Sequence, residues 1–235
     1  MKAKERLFRF YMSACGILLS AFMLTVTCGA VDNKVGCGKE PPYARQAALD
    51  KQIKSPDGQN ELTIENLRDD KDPEGYVSFS VTVGEKHFSD RLTGWRTEVM
   101  WSPDSKAFAV NQTEGGGGIG QRAYVFYLEE SGLRKVDVSA PVEKAFGSPV
   151  KCEVPVPPNT AVVKWMDSNR ILVAAEVVPV SICESRGTFK TYEVSLPDLA
   201  IQHVYGQAES KTLFGDSLGC ELRNAEDSYA KSWQK

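Results

Sequence analysis

A serine set between two glycines, Gly215-Asp216-Ser217-Leu218-Gly219, is the segment of this chain with the most direct claim to chemistry. The G-x-S-x-G spacing lets a sharp strand-to-helix turn lift a serine hydroxyl clear of the backbone, where a base can take its proton. Histidine is the commonest such base. The chain has two histidines, His87 and His203, and both precede Ser217. Only sixteen residues follow Gly219, and no alternating strand–helix–strand pattern surrounds the segment. Ser217 is therefore the nucleophile of an alternative reading, a serine hydrolase. The leading reading takes the segment as the end of a short helix stopping at Gly219.

The same residues spell G-D-S-L and so resemble the motif of a family of lipases and esterases. That family carries the motif near the start of its domain, with its histidine well downstream, an order this chain lacks. A second glycine pattern, Gly115, Gly117 and Gly120, satisfies G-x-G-x-x-G. A dinucleotide fingerprint must open a helix, because the helix N-terminus holds the pyrophosphate. Here Arg122-Ala123-Tyr124-Val125-Phe126-Tyr127-Leu128 follows, which has strand character. Gly115, Gly116, Gly117, Gly118 and Gly120 read instead as a hairpin loop and as the first candidate for a binding loop. Asp70, Asp72 and Glu74 alternate like the start of a calcium loop, but its twelfth position, which needs a bidentate acid, is Val81. No catalytic constellation, metal site or cofactor is expected.

Residues 1–30 read as an export signal. Lys2, Lys4, Arg6 and Arg9 make a basic start, and an apolar stretch runs from Phe10 to Val26. Cys28 and Ala30 are small, as a signal peptidase requires, which places cleavage after Ala30. An anchor left uncleaved is one alternative, since the apolar run approaches the ~20 residues of a spanning helix. A lipoprotein acylated at Cys28 is another, although Thr25 stands where that motif has leucine. The processed chain is expected in the periplasm or outside the cell, without membrane insertion. Of the six cysteines, Cys15 and Cys28 leave with the signal, and Cys37, Cys152, Cys183 and Cys220 remain. Four cysteines in an oxidising compartment allow three disulfide pairings, of which Cys37–Cys220 and Cys152–Cys183 are favoured. No two of them have the close spacing of a zinc site.

The composition is that of a globular protein, with 42% hydrophobic and 25% charged residues and a net charge of −3. Removing the signal takes four basic residues and one acidic residue, leaving 24 against 30 and a net charge of −6. Such a chain is a poor partner for nucleic acid, whose phosphates call for clustered Lys and Arg.

Strand signals dominate the elements that position these residues. Tyr76 to Val83 alternates with period two, and Lys106–Val110, Ala123–Leu128, Ala161–Met166, Ile171–Val178 and Thr188–Val194 share its character. An internal repeat runs through them. Ile53-Lys54-Ser55-Pro56-Asp57-Gly58 recurs as Met100-Trp101-Ser102-Pro103-Asp104-Ser105 and, more weakly, as Lys164-Trp165-Met166-Asp167-Ser168-Asn169. Proline presets the turn, aspartate caps it, and Gly, Ser or Asn accepts the remaining geometry. Trp101 and Trp165, at equivalent places, are expected in the packing between sheets rather than on a ligand.

The segment Trp101-Ser102-Pro103-Asp104-Ser105-Lys106-Ala107-Phe108-Ala109-Val110 resembles the WD40-like β-propeller repeat of periplasmic propeller proteins and of prolyl-oligopeptidase-type peptidases. The likeness is good over 97–130, fair over 159–195 and weak over 45–91. In WSPDSKAFAV, VVKWMDSNRILVAAEV and KTLFGDSLG the chain also resembles an uncharacterised group of exported bacterial proteins, which implies no function. The propeller resemblance implies blades of four strands, and about 200 processed residues supply three or four of them. The expected fold is all-β, an open or incomplete propeller-like array of about three antiparallel sheets with a short C-terminal helix. Residues 31–45 form an extended lead-in, and 46–235 form a single domain with repeats over 46–92, 93–140 and 159–206 and the helix over 208–218. The expected function is that of a non-enzymatic binding or scaffolding module for a protein, peptide or saccharide. An accessory subunit of an envelope complex is a further alternative.

Overall fold

Twelve strands follow one another as three successive meanders in the computed structural model, which describes residues 37, 39–49, 52–67, 76–93, 97–113, 120–147, 156–179, 181 and 183–225. The described residues fall within one unit, Val35–Lys235. The proposed signal, residues 1–30, lies outside them. Sheet 1 holds β1 (Gln52–Lys54), β2 (Asn60–Leu67), β3 (Tyr76–Val83) and β4 (Lys86–Thr93). Sheet 2 holds β5 (Thr97–Trp101), β6 (Ala107–Thr113), β7 (Gln121–Glu129) and β8 (Gly132–Asp137). The helix α1 (Ser139–Phe146) follows, and sheet 3 holds β9 (Asn159–Asp167), β10 (Arg170–Glu176), β11 (Phe189–Ser195) and β12 (Ile201–Tyr205). Every neighbouring pair is antiparallel, and strand order in each sheet is sequence order. The array is the expected open, propeller-like one, with no closed barrel.

Alternation along the strands decides what each face meets. Leu62, Ile64, Phe79, Val81 and Leu92 of sheet 1 pack on Val99, Phe108, Val110 and Phe126 of sheet 2. Phe79 meets the rings of Phe108 and Phe126 edge-on, at centroid distances of 5.7 and 4.8 Å. On the other face of sheet 2, Ala107, Ala109, Ala123 and Val125 pack on Val162, Trp165, Ile171, Val173, Tyr192 and Val194 of sheet 3. Small residues on one side are matched by large ones on the other. The far face of sheet 3, with Ala161, Val163, Leu172, Ala174 and Phe189, is covered by Tyr43, Leu218 and Leu222. Among the described residues nothing comparable covers sheet 1. Its far face carries Glu61, Thr63, Ser78, Ser80, Thr82, His87, Ser89 and Arg91, in register across β2, β3 and β4. The stack thus ends in a cap on one side and a water-compatible face on the other, as repeat arrays require.

The repeated sequence makes a repeated hairpin. Ser55 Oγ donates to Asp57 Oδ1 at 2.5 Å and accepts from the Asn60 N–H at 2.9 Å. Ser102 Oγ donates to Asp104 Oδ1 at 2.7 Å and accepts from the Ala107 N–H at 3.0 Å. The third copy lacks the serine but keeps the aspartate, whose Oδ1 accepts the Asn169 N–H at 2.8 Å. Gly58 and Ser105 occupy the same left-handed turn position, with φ of 71° and 62°. Glycine takes it freely; Ser105 is held there while its Oγ accepts the Asp57 N–H at 3.1 Å. The tryptophans tie each sheet to the one before. Trp101 Nε1 donates to the Ile53 carbonyl at 3.3 Å, and Trp165 Nε1 to the Met100 carbonyl at 3.2 Å. Both therefore belong to inter-sheet packing.

The short C-terminal helix is present as α2 (Gln207–Phe214), but it stops four residues before the expected 218, and Gly219, expected to end it, instead opens a further helix, α3 (Cys220–Asn224). The break comes from tertiary pairing: Leu218 bridges Ala44, and the Gly219 N–H donates to the Tyr43 carbonyl at 2.7 Å. The unexpected α1 opens where Asp137 Oδ1 accepts the Ser139 and Ala140 N–H groups at 2.8 and 3.4 Å, with Pro141 in the first turn, where it is tolerated. No helix among the described residues is long and apolar enough to cross a membrane.

Replacing Trp165 with Phe keeps an aromatic ring but removes the side-chain donor to the Met100 carbonyl. Trp165→Phe is expected to lower stability by about 1–2 kcal/mol in denaturant unfolding, more than Trp101→Phe at its half-buried site. Equal effects would show that burial does not strengthen the Trp165 bond over that of Trp101.

Candidate functional site

An up-and-down meander delivers alternate connections to opposite ends of its strands. At one end of this array the connections are the repeated turns and other links of two to five residues. The other end carries the strand ends that the longer links 68–75, 114–120, 138–158 and 177–188 join, together with the start of α2. This is the loop end. It also holds the largest group of buried polar side chains, because the segment before β1 folds back across it.

That segment, residues 39–48, is a strap with no ladder of its own. It bridges Leu218 through Ala44 and Val99 through Ala48. The Pro41 and Pro42 carbonyls accept the Cys220 and Glu221 N–H groups at 3.1 and 3.0 Å, and the Arg45 N–H donates to the Ser217 carbonyl at 3.0 Å. These bonds satisfy donors at the start of α3, which has no side-chain cap. Cys37 is disulfide-bonded to Cys220, as expected, with Cα atoms 5.7 Å apart. Glu40 pairs with Arg223 beside it.

Tyr43 is the centre of the strap. Its N–H donates to Glu98 Oε1 at 2.9 Å, its hydroxyl donates to Glu176 Oε2 at 3.2 Å, and that hydroxyl accepts from Asn159 Nδ2 at 2.9 Å. Asn159 Oδ1 in turn accepts the Gln121 N–H at 3.1 Å. Glu98 Oε2 accepts from Asn111 Nδ2 at 2.9 Å. Asn111 then reaches across to sheet 3, donating to the Val162 carbonyl at 2.8 Å and accepting its N–H at 2.7 Å. The network joins β5, β6, β7, β9 and β10 with the strap. Glu98 and Glu176 are 2% and 1% exposed. Burial pushes the Glu176 carboxyl well above the usual carboxylate range, and the negative charge of Glu221 adds to the shift. Burial likewise raises the Tyr43 phenol, helped by Glu176.

The sequence candidates fall around this network in different ways. Ser217 sits in the turn between α2 and α3 and is 4% exposed. Its carbonyl holds Arg45, and among the described residues no hydrogen bond joins it to His87 or His203, both of which lie exposed. Gly219 is explained by crowding, since a Cβ there would lie 2.4 Å from the Pro42 backbone. Gly115, Gly116, Gly117 and Gly118 lie outside the described residues. Gly120, with φ of 78°, leads directly into β7 at the loop end. Cys183 is disulfide-bonded, and Cys152, its expected partner, lies outside the described residues. So do Asp70, Asp72, Glu74 and Trp95. Asn111, the first residue of an Asn-Gln-Thr sequon, is buried with its amide fully engaged. Sequence reasoning missed Tyr43, Glu98 and Glu176. The only available signal was a glutamate at the end of each of two strongly apolar strands.

Among the described residues an open cleft of about 480 Å³ lies along β3 and β4 of sheet 1, lined by Ser78, Ser89, Asp90 and Arg91. Asp90 there pairs with Lys135 at 3.8 Å. No group of three or more metal-ligating side chains occurs among the described residues. No protein-family model matches the chain, and no curated protein matches it.

Glu176 gives a pH dependence with a defined sign. Its native pKa lies above the unfolded value of about 4.3, so the folded state holds the proton more tightly in the window above pH 4.3. The stability linked to it is complete below that pH and falls as pH rises. Glu176→Gln, which mimics the protonated acid, is expected to match the parent near pH 4 and exceed it at pH 8 in denaturant midpoint. Parallel profiles would show that Glu176 ionises without penalty.

Proposed function

We propose that this chain is an exported, non-enzymatic binding module that meets its ligand, a protein, peptide or saccharide, at the loop end of the three-sheet array. The observation that carries this reading is the unequal division of the connections. Tight turns finish one end, whereas the strand ends joined by the long connections, and the strap, are at the other. Short turns fix the sheets, and long loops on a fixed scaffold are the usual carriers of recognition. The buried network supports the reading from below. It locks the strand ends from which the loops depart, so that loop geometry is set by sheets that cannot shear.

The Cys37–Cys220 disulfide fits an oxidising compartment, in agreement with the signal expected over residues 1–30. Repetition of the Asp-capped hairpin, with a tryptophan bonded to the preceding sheet in two of its copies, supports kinship with WD40-like repeats. Under this reading the 114–120 link, which joins β6 to β7, is the first contact surface.

The test compares the two ends. The parent chain, a variant with residues 114–119 replaced by Asn-Gly, and a control with Gly84-Glu85 replaced by Asn-Gly are each sedimented with the source cells' envelope fraction. The parent and the control are expected to be retained, and the first variant to lose retention at least about tenfold. Failure of the parent to sediment, or equal loss in both variants, would overturn the reading.

A further inference from the structure

The cover on the far face of sheet 3 stops towards the end where β9 turns into β10. Leu172 is fully buried, whereas Arg170, two residues earlier on the same face of β10, is exposed. Register carries this open strip across the sheet. Leu172 lies opposite Glu193 on β11, and Glu193 lies opposite His203 on β12. Tyr205 follows His203 on the same face, opposite Thr191. The groups on the strip are fixed to one another. Arg170 Nε donates to Asp167 Oδ2 at 2.7 Å, and its Nη1 donates to Glu193 Oε1 at 2.5 Å. The Tyr205 hydroxyl donates to Glu193 Oε2 at 3.2 Å. One hydrogen-bonded line thus runs from the β9–β10 turn to the edge strand of the sheet. Three rings meet at its end. His203 lies 4.2 Å from Tyr205, and Tyr205 meets Phe214 of α2 edge-on at 5.0 Å.

The groups left unspent decide what such a strip can hold. A guanidinium has five N–H donors, and the side chain of Arg170 gives two of them to acceptors among the described residues. The ring nitrogens of His203 bond to no described residue, although the ring itself is exposed. Each Glu193 oxygen takes one side-chain donor and has a second lone pair. Donors and acceptors therefore stand together beside ring surface. An anionic ligand would meet the two carboxylates of Asp167 and Glu193 for one guanidinium, and a cationic ligand would meet Arg170. A neutral polyhydroxyl ligand meets neither objection. Each of its hydroxyls donates and accepts, and its C–H surface can be buried on the rings.

We propose that this strip of sheet 3 is a binding site for a neutral saccharide. Its sugar rings lie against His203 and Tyr205, and its hydroxyls bond to Arg170 and Glu193. The ion pairs hold the Arg170 fork and the Glu193 carboxylate in place before the ligand arrives, which reduces the ordering that binding would otherwise cost. A few placed polar groups beside aromatic surface are the usual make-up of a small-ligand site. The strip lies on a sheet face, apart from the long connections, so the inference does not depend on recognition at the loop end.

The test titrates the ¹⁵N-labelled full chain with maltotetraose, cellotetraose and tetra-N-acetylchitotetraose, each to about 10 mM, and follows the amide shifts. At least one of these probes is expected to shift the amides of Arg170, Glu193, His203 and Tyr205 saturably. His203→Ala and Arg170→Gln, both at exposed side chains, are each expected to weaken that probe at least about tenfold. Absence of a saturable shift on the strip with all three probes overturns the proposal. Binding that is indifferent to both substitutions, in variants whose spectra otherwise match the parent, overturns it as well. Shifts confined to loop-end amides such as Gly120 overturn it and leave the loop-end reading standing. Tighter binding of tetralysine than of any sugar at the same amides overturns it in favour of a cation site.

Discussion

Three sheets have six faces, and apolar contact between them can bury only four. Everything else in this molecule answers the question of what becomes of the remaining two. The far face of sheet 1 carries Glu61, Thr63, Ser78, Ser80, Thr82, His87, Ser89 and Arg91, which can meet water. The far face of sheet 3 is apolar, with Leu172 and Phe189 on it, and would be costly to leave in water, at about 25 cal/mol per Å². Both chain ends are recruited to cover it, the strap from one side and the segment around Leu218 and Leu222 from the other. Once the ends meet there, the disulfide, the Gly219 close approach and the Tyr43 network follow as ways of fixing them.

Much of the fold was legible because the repeat unit is local. The Ser-Pro-Asp turn carries its own hydrogen bonds, so the hairpins can be read from six residues, and β3 shows its alternation without help. The last strand of each sheet was not legible. β4, β8 and β12 are edge strands, and β8 and β12 have no buried residue at all. Their sequences, such as Gly132-Leu133-Arg134-Lys135-Val136-Asp137, lack the apolar alternation that marks a half-buried strand. Register with a neighbour makes them strands. The helix α1 was hidden for a different reason, since Pro141 in its first turn reads as a break unless the Asp137 carboxylate is recognised as the acceptor of the Ser139 and Ala140 N–H groups.

The candidate site was less legible than the fold. Its buried acids lie far apart in sequence, and one of them is held by a tyrosine 133 residues away. Nothing local distinguishes Glu98 or Glu176 from a surface glutamate at a strand end. Conversely, the most conspicuous local motif, around Ser217, owes its second glycine to the Pro42 backbone lying against it. A pattern defined by small residues records where backbones approach, and catalysis is only one reason for them to do so.

The strap and its groove are separated by most of the chain, 183 residues between the two cysteines. Synthesis delivers the strap first and the groove last. Until Leu218 and its neighbours arrive, the apolar face of sheet 3 lacks half of its cover, the Tyr43 carbonyl lacks the Gly219 N–H, and Cys37 has no native partner. Completion of the fold therefore waits on residues 218–222, and a chain cut short a dozen residues before Cys220 would present three formed sheets with an unfinished side.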